Sequence, residues 1–255
     1  MTGNADVVPA MAITSIPSVL LPLRAPGLIP AYTPPVALSP QGIFNRIVDS
    51  SLTTGKVGLE LGIPQAVKDA AQAYLVIMVE DHRAERLDED VAATAELVTE
   101  LGAIDVFVLP PAAGNQLLAA REQAFWVAKE LGANDIVDVV VPRASVPDFL
   151  SRVFEIAAAN ATLVGAAGHA GDGNVHLSVF QPDAAVRSSV MKQILGAGIE
   201  LGGAISAEHG IGREKQAYFL ELEDPVKIAL MQRIKTAFDP HGILNPGVLL
   251  PGTDA

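Results

Sequence analysis

Two glycine-rich stretches carry most of the side chains in this sequence that could do chemistry. The first, GHAGDGNVH, spans residues 168–176 and contains His169 and His176. The second, GGAISAEHGIG, spans residues 202–212 and places Glu208 directly before His209. Imidazole nitrogens and a carboxylate suit zinc, manganese or iron, and an open catalytic site uses about three protein ligands. These residue types therefore point first to a divalent metal.

The spacing of the two histidines supports a shared ion. If residues 168–176 form a tight strand–loop–strand, the two ends approach each other and both rings reach one metal, with Glu208 as the third ligand. Three glycines would let the backbone turn sharply, and Asp172 could orient a ligand histidine. The alternative is a hairpin loop whose histidines only form local hydrogen bonds, and a motif this short leaves both interpretations open.

A phosphate-binding loop fits the same stretch less well. Such a loop opens the N-terminus of a helix, whereas the residues that follow His176 alternate like a strand. The loop also contains no Lys or Arg.

His209 and the basic residues after it have two interpretations each. If Glu208 binds the ion, His209 could face the substrate as a general base, since its ordinary pKa is about 6.5. It could equally be a capping or packing residue. Arg213 and Lys215 could bind an acidic substrate or cofactor, or lie on a solvated helix face.

Alternating apolar strands and amphipathic helices must position these residues. Continuous apolar runs predict buried strands, and residues 175–180 predict a strand with His176, Ser178 and Phe180 on one face. An Asp224-Pro225 start predicts a helix that ends at Asp239. This pattern is typical of a layered α/β or α+β domain. The apolar runs span residues 73–80, 103–109 and 135–141, and further helices are predicted near 87–101, 115–131, after 145 and over 184–201.

Composition narrows the classes of partner and compartment. The net charge is −12, and an acidic chain lacks the clustered cations that nucleic acid or a polybasic membrane anchor requires. The absence of cysteine excludes disulfides, thiolate metal sites and cysteine nucleophiles, and it is compatible with a cytoplasmic location. Prolines and Arg24 interrupt the apolar residues 11–31, so no transmembrane segment is expected.

The first 40 residues differ in composition from the rest of the chain. They hold 8 of the 18 prolines and only two charged side chains, Asp6 and Arg24. Proline excludes a continuous helix, and the segment shows little strand pattern. We therefore expect residues 1–40 to be a proline-rich extended or poorly ordered tail.

Three motifs together resemble the C-terminal half of the FAD-linked oxidases. They are GHAGDGNVH, then GGAISAEHGIGREK, then AFDPHGILNPG near the end of the chain. This family, of the vanillyl-alcohol oxidase type, includes D-lactate dehydrogenases, the glycolate oxidase flavin subunit and D-2-hydroxyglutarate dehydrogenases. The resemblance covers about residues 56–251. It implies an α+β domain over residues 41–255, with a ferredoxin-like antiparallel sheet covered by helices and a C-terminal helical segment.

The same resemblance implies roles for particular residues. His169, His176 and Glu208 would hold a divalent ion, zinc or manganese, and His209 would be the base. Asn245 would touch FAD. The implied reaction transfers a hydride from a small D-2-hydroxy acid to the flavin, after the substrate carboxylate and hydroxyl have bound the ion.

The sequence departs from the family pattern in three ways. The N-terminal FAD-binding domain has no counterpart here, so a separate flavin-binding subunit or self-association is expected. Lys129 stands where the family has a substrate-binding arginine, which keeps the charge but loses the bidentate fork. Val248 replaces a lysine. We expect the substrate- and metal-binding half of an oxidoreductase; the alternatives are a catalytically silent remnant or binding module and, more distantly, a metal-dependent hydrolase.

Overall fold

Six strands and eight α-helices make up the part of the chain that the computed structural model describes, residues 18–23, 64–71, 73–122 and 124–250. Contacts divide the described residues into two units, one up to residue 127 and one from residue 128 onwards. In chain order the elements are β1 (Ser18–Leu23), α1 (Gln65–Ala70), β2 (Ala73–Met78), α2 (Ala84–Glu100), β3 (Phe107–Leu109), α3 (Pro111–Glu122), α4 (Ala124–Glu130), β4 (Asp135–Val140), α5 (Val146–Ala159), β5 (Leu163–His169), β6 (Asn174–Phe180), α6 (Ala184–Glu200), α7 (Gln216–Leu222) and α8 (Pro225–Phe238).

The first unit contains an antiparallel sheet in the order β2-β1-β3. Its central strand, β1, lies within the first 40 residues, where the sequence shows little strand pattern. Pro22 is tolerated because β3 pairs only with residues 18–20, whereas residues 21–23 pair with β2 alone and form an edge. The other residues of 1–40 lie outside the described part, and the 41–255 domain boundary stays a prediction.

The second unit contains an antiparallel sheet in the order β4-β6-β5, with α5 and α6 packed on one face. Side chains alternate across the pleat, so that the core face of the sheet is apolar and fully buried. The central core residues are Val137, Val139, Phe149, Val153, Leu177, Val179, Ile194 and Leu195. The predicted α+β class, with an antiparallel sheet covered by helices, is confirmed.

Strand register decides which residues share the opposite face. Asp138 on β4 lies directly across from His176 on β6, and His176 pairs in turn with Ala167 on β5. His169 pairs with Asn174 at the end of the β5–β6 hairpin. The period of two therefore puts one aspartate and two histidines on the face away from the core.

Two element boundaries differ from the sequence expectation. The strand expected over 103–109 is limited to β3, and just before it the Asp105 carboxylate accepts a hydrogen bond from the Val106 N–H. The single helix expected near 115–131 is assigned as α3 and α4. The start of α8 is as predicted, with the Asp224 carboxylate accepting from the Val226 N–H and Pro225 at the first position.

No helix in the described part of the chain combines the length and apolar character needed to cross a membrane.

Candidate metal centre

The stretch 168–176 forms a hairpin, as the strand–loop–strand prediction required. Residues 170–173 turn between β5 and β6, and the Asp172 N–H donates to the His169 carbonyl at 2.9 Å. Gly173 has a φ of +75°, and a Cβ there would lie 2.0 Å from the Val141 carbonyl oxygen. A Cβ on Gly168 would lie 2.2 Å from the Asn174 carbonyl oxygen, whereas Gly171 has open space around it. Two of the three glycines are therefore required by the geometry.

The hairpin brings the predicted ligands together. The Glu208 Oε1 atom lies 2.8 Å from His176 Nε2 and 3.5 Å from His169 Nε2. One ligand atom from each residue falls within 4.8 Å of the others. Two imidazole nitrogens and one carboxylate oxygen form the donor set of many catalytic zinc or manganese sites. These three residues fit a divalent ion.

His209 lies beside this set. Its ring stacks on that of His176 with a centroid separation of 4.7 Å and an interplanar angle of 10°. Its Nε2 atom is 3.9 Å from Glu208 Oε1, and nearly half of its side chain is exposed. His209 is thus close to this candidate ligand set and open to solvent.

A residue that the sequence analysis did not select, Asp138, connects the two glycine-rich stretches. Its carboxylate is fully buried, and Oδ2 accepts hydrogen bonds from Ser206 Oγ and from the N–H groups of Ala207, Glu208 and His209, at 2.8 to 3.0 Å. Asp172, the residue that the sequence analysis considered for orienting a ligand histidine, is exposed on the turn. The available signal was an acidic residue with valines on both sides, inside the apolar run DIVDVVV.

The pKa values in the centre follow from burial and from these contacts. Burial alone would raise the pKa of Asp138, but the hydrogen bonds from residues 206–209 outweigh it and lower the pKa below its ordinary value. Burial lowers the pKa of His176, His209 adds to the shift, and the carboxylates of Asp138 and Glu208 oppose it. His176 is therefore neutral near pH 7, which is the form that binds a metal.

Two predicted site residues lie outside the cluster. Lys129 is exposed on α4, and no described hydrogen bond or ion pair joins it to the histidines. Asn245 is exposed after α8, with a φ of +46°. Asp239 holds this segment by accepting hydrogen bonds from the Ile243 and Leu244 N–H groups and from Lys235.

The two basic residues after His209 have different environments. Arg213 is exposed, in agreement with a solvated face. Lys215 is only 9% exposed, so the solvated-face interpretation is wrong for it. Burial lowers the pKa of Lys215, and the nearby carboxylates of Asp138 and Asp135 oppose that shift.

Comparison with known proteins agrees with the motifs. Residues 41–249 match the family described as FAD linked oxidases, C-terminal domain. This chain belongs to that family. It is 53% identical over 195 residues to an uncharacterized FAD-linked oxidoreductase of Mycobacterium tuberculosis, covering 76% of this chain and 42% of the relative. It is 36% identical to a D-lactate dehydrogenase of Anaerostipes hadrus, covering 69% and 38%.

A third relative is the glycolate oxidase subunit GlcD of Escherichia coli K12, 28% identical over 244 residues, with 86% of this chain and 49% of the relative covered. The chain thus spans less than half the length of these curated relatives. The family association implies FAD as the cofactor and an oxidoreductase as the setting in which this domain works.

Proposed function

We propose that this chain is the substrate- and metal-binding half of a flavin-dependent 2-hydroxy acid dehydrogenase or oxidase. The observation that carries the proposal is the convergence of His169, His176 and Glu208, with His209 stacked beside them. The names of the relatives, a D-lactate dehydrogenase and a glycolate oxidase subunit, indicate a small 2-hydroxy acid as substrate.

In the proposed reaction, each residue of the site has a separate role. His169, His176 and Glu208 would hold zinc or manganese, which would supply a positive charge for the substrate hydroxyl and carboxylate. FAD would supply the hydride acceptor. His209 takes the hydroxyl proton, a role that suits an imidazole next to the ligands yet open to solvent.

Two exposed residues complete the proposed site. Lys129 provides a positive charge for the substrate carboxylate, as a point charge rather than the planar fork of an arginine. Asn245, held in its turn by the contacts of Asp239, reaches the flavin. Both side chains are exposed, as a residue that awaits a ligand would be.

The flavin-binding part belongs to the same proposal. An exposed apolar stripe of four side chains spaced four residues apart runs along α8, formed by Val226, Leu230, Ile234 and Phe238. A contiguous exposed apolar surface is typical of an interaction site. We assign its occupant as the flavin-binding part of the enzyme, because the curated relatives are more than twice as long as the matched region.

A cytoplasmic location is proposed as well, since a cysteine-free sequence does not call for an oxidising compartment.

Metal content tests the proposed site. We expect the purified chain to bind about one zinc ion, and His169→Ala to abolish that binding because only two ligands remain. Inductively coupled plasma mass spectrometry after dialysis gives the stoichiometry. His82→Ala is the matched control, since His82 is an exposed histidine in the other unit and the variant should keep its zinc. Equal zinc content in the wild type and His169→Ala would contradict the proposal.

A further inference from the structure

The buried carboxylate of Asp138 has two oxygens in different situations. Oδ2 accepts all four hydrogen bonds from residues 206–209. Oδ1 is buried and, among the described residues, has no hydrogen-bond partner. An unpaired buried oxygen on a charged group is unfavourable, so a polar neighbour within a short distance of it is informative.

That neighbour is the ring of His176. Its Nδ1 atom lies 3.5 Å from Asp138 Oδ1 and is itself a buried nitrogen without a described hydrogen-bond partner. The two residues are direct cross-strand partners on β4 and β6. A shift of about half an ångström would bring the two atoms into hydrogen-bond distance. The other ring nitrogen of His176, Nε2, lies 2.8 Å from Glu208 Oε1.

The ring of His176 therefore spans from Asp138 to the ligand set. When an ion is bound, a hydrogen bond from Nδ1–H to the carboxylate leaves the lone pair on Nε2, the atom beside Glu208, free to bind that ion. The opposite tautomer would point a proton at the ion. Metal-binding histidines commonly donate their second nitrogen to a carboxylate in this way.

We propose that Asp138 is a positioning residue for the metal centre. One of its oxygens fixes the loop that carries Glu208 and His209, and the other fixes the tautomer and orientation of His176. Asp138 thereby aligns ligands from the hairpin and from the second glycine-rich loop. The inference rests on the proposed function, because it assumes that these residues bind a divalent ion.

Asp138→Asn separates the two roles of the carboxylate. The amide oxygen can still accept from residues 206–209, but its NH₂ group would face His176 and favour a proton on Nε2. We expect about 10- to 100-fold weaker zinc binding, measured by competition with a chromophoric chelator. Ser206→Ala is the matched control, because it removes one hydrogen bond to Oδ2 and leaves His176 unchanged. We expect its zinc affinity to stay within about fivefold of the wild type.

A second measurement needs no variant at Asp138. Nitrogen-15 NMR of histidine-labelled wild-type chain, with His176→Gln to assign the signals, reports the tautomer of His176. We expect zinc on Nε2 and an observable, hydrogen-bonded proton on Nδ1 in the zinc-bound protein at pH 8. Zinc on Nδ1, or an Nδ1 proton that exchanges with water too fast to be observed, would overturn the inference, even if Asp138→Asn did not fold.

The outcomes distinguish this inference from the proposed function. Zinc binding that is lost in His169→Ala but unchanged in a folded Asp138→Asn would refute the role of Asp138 alone. Zinc binding that is unchanged in both variants would refute the metal centre itself.

Discussion

At the scale of the residue, the hairpin depends on glycine at position 168 but not at position 171. A Cβ on Gly168 would lie 2.2 Å from the Asn174 carbonyl oxygen, and backbone atoms cannot move away as a flexible side chain could. We expect Gly168→Ala to lower the free energy of unfolding by about 1–3 kcal/mol, as overpacking does. Urea denaturation followed by circular dichroism measures the change.

Gly171→Ala is the control for that variant. It adds the same methyl group to the same motif at a position with open space, so its stability should stay within about 0.5 kcal/mol of the wild type. Equal destabilisation by the two variants would show that the turn, rather than the close approach at Gly168, sets the requirement for glycine.

The sequence indicates the candidate ligands more directly than it indicates Asp138. His169, His176 and Glu208 stand in glycine-rich stretches where their chemistry is conspicuous. Asp138 lies within an apolar strand, and only the strand register places it opposite His176. Register depends on how β4 pairs with β6, which is a long-range contact that local pattern does not specify.

At the scale of the element, α7 begins at a buried lysine. Lys215 is 9% exposed, and burial lowers its pKa from the ordinary value of 10.5 even though Asp138 and Asp135 oppose the shift. The folded state therefore binds this proton less tightly than the unfolded state does. Stability consequently rises as pH increases from the folded pKa towards 10.5, because the unfolded chain holds the proton longer.

Lys215→Met tests this balance, because it keeps the length of the side chain and removes the charge. We expect the variant to be more stable than the wild type at pH 7, by on the order of 1 kcal/mol, and the gain to shrink as pH approaches 10.5. Chemical denaturation of both proteins at pH 7 and pH 10 measures the gain in the free energy of unfolding and its decrease with pH.

Arg213→Met, a similar change at an exposed basic residue, should alter stability by less than about 0.5 kcal/mol. A loss of stability in Lys215→Met at pH 7 would mean instead that attraction to Asp138 and Asp135 exceeds the cost of burying the ammonium group.

Elements with a strong local signal were predicted, and those that depend on distant partners were not. The alternation of residues 175–180 and the Asp224-Pro225 start of α8 are local features, and both are present in the structure. Strand β1 contains a proline and is specified by pairing with β2 and β3. Such pairing is determined by tertiary context and is not visible in the segment itself.

At the scale of the whole molecule, the surface of α8 is unusual for a chain with a substantial core. Four large apolar side chains share one exposed face, and Phe238 is 83% exposed. Isolated exposed apolar residues are ordinary, but a row of four along one helix is a surface suited to a partner. Burying a side chain of this size against a partner stabilises the complex by about 1.5–3 kcal/mol. Burial of all four side chains is therefore enough to stabilise the association of a partner with α8.

A chimaera tests what covers this surface. The part of the Mycobacterium tuberculosis relative that this chain does not match would be joined to the chain, and the FAD content of the product would be measured by absorbance at 450 nm. We expect FAD in the chimaera. We expect the double variant Leu230→Glu with Phe238→Glu to lose it, because two charges cannot be buried against an apolar partner.

The matched control for the chimaera is the double variant Ala229→Glu with Thr236→Glu, which places the same charges at exposed positions on a different side of α8. This control should keep its FAD. The opposite result would be that the double variant Leu230→Glu with Phe238→Glu retains FAD while its zinc binding stays normal. That result would mean that the flavin-binding part contacts a different surface of this chain. If the FAD-containing chimaera with an intact zinc centre oxidised no 2-hydroxy acid, the chain would instead be a catalytically silent binding module of the family.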